Sequence, residues 1–176
     1  MRRLAWARLD TNGRDEAEVV RTEDGIVVSG RSTEPRYDLS YRLHYDAEWN
    51  VREAEARDLR TGQRLRLFRD GEAWLEETAP RPDLLGCTTV DLGCTPFTNT
   101  PPLLQVALAP KATLELEVAH LLPLPRLHAV RARQRYTNLG GGRVRYEGLD
   151  TGFEAVLTLD VDGWVQEYPG LFRRVA

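Results

Sequence analysis

Between Arg36 and Tyr45 the chain alternates strictly. Tyr37, Leu39, Tyr41, Leu43 and Tyr45 fall on one face, and Arg36, Asp38, Ser40, Arg42 and His44 fall on the other. A period of two is the signature of a strand buried on one side. The same period returns at Leu114, Leu116 and Val118 and at Phe153, Ala155, Leu157 and Leu159, with Trp164, Gln166 and Tyr168 following across a turn. Glu23-Asp24-Gly25, Thr61-Gly62, Asp70-Gly71, Gly140-Gly141-Gly142, Asp150-Thr151-Gly152 and Asp162-Gly163 separate the apolar runs. These are turn formers, and short strands between close turns predict a meander of hairpins.

Between Pro80 and Pro110 the texture changes. Prolines stand at 80, 82, 96, 101 and 102, alternation fades, and Leu103 to Leu108 fits a buried strand or a short helix equally well. This segment is expected to be an irregular insert with one or two helical turns. About ten strands around one such insert predict a mainly all-β fold: a large, curved antiparallel sheet forming an unclosed barrel, whose concave side the insert can cover. No repeat or linker divides the chain, so residues 1–176 are expected to form one domain.

Composition narrows the function classes. A chain of 176 residues with 41% hydrophobic and 29% charged content can bury a core without metal or disulfide staples. No apolar run approaches the roughly 18 residues of a membrane span. A net charge of −3 argues against a nucleic-acid binder that works by counterion release. The opening Met1-Arg2-Arg3-Leu4-Ala5-Trp6-Ala7 is broken by Arg8 and Asp10, which is not the pattern of an export signal, and a cytoplasmic location is expected. Cys87 and Cys94 lie seven positions apart with no C-x-x-C pair, and are expected to be reduced thiols. His44, His120 and His128 are scattered, so neither a metal nor another cofactor is expected.

Catalytic signatures such as G-x-S-x-G, H-E-x-x-H and the phosphate-binding glycine loop are absent, and no catalytic residue is assigned. The most unusual stretch is Asp91 to Pro102. Thr95, Thr98, Asn99 and Thr100 surround the ring of Phe97 between prolines. Short polar side chains beside an aromatic plane suit a polyol, whose hydroxyls need donors and acceptors and whose C–H face needs an apolar surface. The alternative is structural: a loop crossing a curved sheet must satisfy its own backbone, and Thr and Asn do so locally. Tyr41, Trp49, Trp74, Tyr136 and Tyr168 are aromatics that either line a cavity for an aliphatic chain or fill the core.

Gly86-Cys87, Val90-Asp91-Leu92, Thr95-Pro96-Phe97-Thr98-Asn99-Thr100, Gln134-x-Tyr136, Arg143-Val144-Arg145-Tyr146 and Tyr168-Pro169-Gly170-Leu171-Phe172 resemble the putative glycolipid-binding family of bacterial proteins. Tyr41-x-Leu43-x-Tyr45-Asp46-x-x-Trp49 and Asp70-Gly71-x-x-Trp74 extend the likeness. The resemblance implies a fold similar to envelope lipoprotein carriers, an antiparallel sheet folded into an unclosed barrel around short helices. The chain departs from the family pattern at Thr89, where a second Asp is usual, and at Pro101-Pro102-Leu103-Leu104-Gln105, where a Leu-Pro-Ile-Arg-Arg run is usual. The leading expectation is a non-catalytic binder of a glycolipid or other amphiphile, with the polar head near Asp91, Thr95, Thr98 and Asn99, the ring of Phe97 as its apolar surface, and the aliphatic part among the strand aromatics. The rivals are an enzyme on a small hydrophobic or glycosylated substrate that uses Asp91, and an interaction protein whose insert fills its own barrel.

Overall fold

The computed structural model describes residues 1–106 and 109–175, and strand accounts for 60% of it against 7% helix. The first half is a meander: β1 (Arg2–Arg8), β2 (Arg14–Thr22), β3 (Gly25–Glu34), β4 (Tyr37–Tyr45), β5 (Val51–Asp58), β6 (Arg64–Asp70), β7 (Ala73–Glu76) and β8 (Ala79–Pro80), each antiparallel to the next. The insert holds β9 (Thr89–Leu92) and α1 (Thr100–Val106), with a single 3-10 turn at Phe97–Asn99 between them. A second meander follows: β10 (Thr113–Leu122), β11 (His128–Gly140), β12 (Arg143–Gly148), β13 (Phe153–Leu159), β14 (Val165–Tyr168) and β15 (Phe172–Arg174). β15 pairs back onto β1, so both meanders join in one sheet that does not close.

This is the unclosed antiparallel sheet that the alternation predicts. In β4, Tyr37, Leu39, Tyr41, Leu43 and Tyr45 are all buried, while the intervening residues are exposed or half-buried. The fifteen strands among the described residues exceed the expected number because β7, β8, β9, β14 and β15 have four residues or fewer, too short for a period of two to stand out.

β9 departs from the meander, because it runs parallel to β10, with Thr89 opposite Val118 and Leu92 opposite Leu121. Parallel neighbours require a crossover connection, and the segment from Gly93 onward supplies it. All four residues of β9 are buried, so no alternation marks the strand in the sequence. Leu103 and Leu104 belong to α1, which favours the helical alternative for that segment; Ala107 and Leu108 lie outside the described residues.

Antiparallel pairing gives the sheet two rims. One rim carries the start of β1, the β4–β5 loop and the β13–β14 loop. The other carries the β1–β2, β12–β13 and β14–β15 connections. β9 points towards the second rim, and the chain then returns through the interior. Phe97 is fully buried in a cluster with Trp49 and Trp164, and Gln105 of α1 donates to Asn50 at the first rim across 3.1 Å.

Side chains bridge the gap between the sheet edges. The Trp74 indole donates to the carbonyl of Cys87 (3.0 Å), Arg69 to that of Thr88 (2.8 Å) and Arg81 to that of Ala129 (2.8 Å). The Gln63 carbonyl oxygen accepts from the amide of Leu127 (2.8 Å). The curvature therefore persists without a closing backbone ladder.

Candidate functional site

The hexapeptide from Thr95 to Thr100 is held from both sides by buried carboxyl groups. On the β2 side, Thr95 donates to Asp15 Oδ2 at 2.5 Å while its own oxygen accepts from the amide of Phe97 at 3.1 Å. Tyr41 donates to Asp15 Oδ1 at 3.2 Å. Gly30 makes room for that hydroxyl: a Cβ at position 30 would stand 2.2 Å from the Tyr41 ring and 2.6 Å from the backbone oxygen of Glu16. Burial pushes the Asp15 carboxyl up to about 7 against the opposing pull of the hydrogen bonds from Thr95 and Tyr41.

The second carboxyl is Asp91, in the middle of β9. Thr98 donates to its Oδ1 and Gln134 of β11 to its Oδ2, each at 2.6 Å. Thr98 also accepts from the amide of Leu92 at 3.1 Å, so one hydroxyl serves both the backbone and the carboxylate. Tyr136 donates to Gln134 Oε1 at 3.1 Å and accepts from Asn99 Nδ2 at 2.9 Å. The local-backbone reading of Asn99 is thereby replaced, because its amide reaches across to a neighbouring strand. Burial raises the hydroxyls of Tyr136, Tyr146 and Tyr168 above their ordinary range, and the charge of Asp91 adds to the rise in all three.

Asp91 and Asn99 form part of the wall of a cavity of about 200 Å³ at the second rim. His120 of β10 completes the polar side, with Nε2 lying 3.8 Å from Asp91 Oδ2, beyond hydrogen-bond range. Gly93 allows this approach, since a Cβ there would come 3.0 Å from that nitrogen. The rest of the lining is largely aromatic: Tyr146, Phe153, Tyr168 and Phe172 form a continuous series with ring centroids 5.9 to 6.4 Å apart. Phe153 is 41% exposed at the lip. Each oxygen of Asp91 retains acceptor capacity beyond its one donor, and Asn99 Oδ1 accepts no hydrogen bond among the described residues. The cavity thus brings hydrogen-bond acceptors and aromatic rings into one lining.

The structure separates the residues that the sequence pattern groups together. Asp91, Thr95, Asn99 and Tyr168 line this cavity, while Thr98 and Tyr136 stand behind it and position Asp91 and Asn99. Tyr41 belongs to the Asp15 network and Trp74 to the seam between the sheet edges. Trp49 lies at the first rim, where with Trp164, Arg2, Arg21 and Leu104 it lines a second hollow of about 510 Å³. Two participants escape a reading based on residue type, Asp15 and His120. Asp15 shares its strand phase with Ala17 and Val19, and His120 shares its phase with Leu116 and Val118, so polar groups in an inward register mark both. Among the described residues no group of three or more His, Cys, Asp or Glu could hold a metal ion, and no helix is long and apolar enough to cross a membrane.

From residue 3 to residue 174 the chain matches the family model described as "Putative glycolipid-binding". A crystal structure of a DUF1089 family protein from Pseudomonas aeruginosa is similar over 92% of both chains, with 33% sequence identity and a TM-score of 0.77. No curated protein matches the chain.

Proposed function

Because the chain belongs to the putative glycolipid-binding family, we propose that it binds the hydroxylated headgroup of an amphiphile, without chemical turnover, in the cavity around Asp91. The observation that carries this reading is that polar residues, Asp91, Asn99 and His120, and aromatic residues, Tyr146, Phe153 and Tyr168, line one small cavity together. A sugar ring has both surfaces in the same order, hydroxyls around its edge and C–H groups on its face. The volume of about 200 Å³ lies below the roughly 300–1,000 Å³ of sites for drug-sized molecules, so a ring fits and a whole amphiphile does not.

The aliphatic part then stays at the rim. In the interior, Phe97 of the insert stacks on Trp164, and Tyr41 of β4 reaches Thr95 of the insert. Leu9, whose amide donates to the carbonyl of Leu171, is 44% exposed and extends the apolar lip formed by Leu171 and Phe153. Asp91, with a donor on each oxygen, is held as an anchor for hydroxyl groups and not as a mobile proton carrier.

Calorimetric titration with glucosides of increasing alkyl length tests the reading. The shortest members should bind, and affinity should rise over the first few methylenes and then level off as the tail passes the lip. Tyr168→Ala should weaken every member of the series. Two results would overturn the proposal. One is no binding by any member; the other is an undiminished gain of about 0.8 kcal/mol per methylene out to dodecyl, which places the tail inside the protein.

A further inference from the structure

The charge of the ligand follows from what the cavity leaves out. The chain carries 24 lysine and arginine residues, and none of them lines the cavity around Asp91. The guanidinium of Arg8 lies over the ring of Phe172, 5.1 Å from its centroid, but it is already paired with Asp10 at 2.9 Å and Glu34 at 3.2 Å. Arg133, on the strand beside the Gly148–Phe153 connection, is likewise committed to Asp150 at 2.8 Å. The Asp91 carboxylate therefore meets the ligand with no guanidinium or ammonium to offset it; the basic side chain in the lining is the His120 imidazole, 3.8 Å from Asp91 Oδ2, and the carboxylate's field reaches Tyr146 and Tyr168.

We infer that the cavity selects headgroups without negative charge, taking a hydroxylated or amino-substituted ring over a uronic, sulfated or phosphorylated one. This rests on the reading of the cavity as a headgroup site. A hydroxyl or ammonium group donates to Asp91 and to the open oxygen of Asn99. A carboxylate, sulfate or phosphate sets acceptor against acceptor there, and like charges at such range repel strongly where water is scarce. Discrimination of this kind works through exclusion of the wrong ligand as much as through attraction of the right one.

Three probes with one tail separate the possibilities: octyl glucoside, the octyl glycoside of glucosamine, and octyl glucuronide, each titrated calorimetrically into the wild-type protein at low and moderate salt. The glucuronide should bind at least tenfold more weakly than the glucoside, and the amino sugar several-fold more tightly. In Asp91→Asn the three should converge. Equal or tighter binding of the glucuronide by the wild type overturns charge selection and leaves the headgroup reading standing. Failure of all three probes to bind removes both. The wild-type comparison decides by itself, so the conclusion does not depend on the folding of the variant.

Discussion

The Thr95 hydroxyl donates to Asp15 Oδ2 across 2.5 Å, joining residues eighty positions apart. This contact fastens the start of the hexapeptide to the wall of the sheet at β2. Asp91, held by Thr98 and Gln134, fastens the next turn of the insert to β11 on the other side. A peptide tethered by two carboxyl groups presents Asn99 to the cavity with little freedom to move, and a rigid first layer is what a small polar site requires.

Asp15 makes stability depend on pH. Its carboxyl is pushed from 3.8 to about 7 in the fold, so the native state holds the proton more tightly than the unfolded chain. The contribution is complete below about pH 4 and is lost as pH rises through about 7. Between pH 5 and 8 a group shifted this far removes about 2 to 3 kcal/mol of stability. Asp15→Asn cannot titrate, so urea denaturation should show its stability gaining on the wild type by about that amount between the two pH values. A constant difference at both pH values would contradict the assignment.

Asn99 and Tyr136 should be energetically coupled. The Asn99 amide donates to the Tyr136 hydroxyl inside the core, and a buried hydrogen bond contributes about 0.5 to 1.5 kcal/mol net. A double-mutant cycle with Asn99→Ala and Tyr136→Phe should return an interaction energy in that range. Simple additivity of the two losses would mean that Asn99 serves another partner.

Trp74 should control access to the seam. Its indole N–H is bonded to the Cys87 carbonyl, and Cys87 is 2% exposed. Trp74→Phe removes that bond between two edges that share no ladder, at a cost of about 1 to 3 kcal/mol. Under native conditions a maleimide should label Cys87 several-fold faster in the variant, while Cys94, buried beside Ser32 on the insert, should keep its rate. Equal acceleration at both thiols would indicate global loosening instead of seam opening.

Residue order alone carried the strand face of β4, the turns at Gly62, Gly71 and Gly152, the change of texture after Pro80 and the prominence of the Thr95–Thr100 hexapeptide. All of these are local. Alternation and turn chemistry depend on neighbours within a few positions, where steric and solvation preferences act directly on the chain. The division of labour among the polar residues was decided elsewhere. Thr98 and Asn99 are adjacent, yet one supports Asp91 from behind while the other opens into the cavity. His120 reaches the cavity because β9 adds in parallel beside β10 and Gly93 leaves space at its tip. Asp15 finds Thr95 only after the insert has passed back through the curved sheet. Such contacts depend on how the sheet bends and where the insert crosses it, which the packing of the whole core settles and no short stretch of sequence encodes.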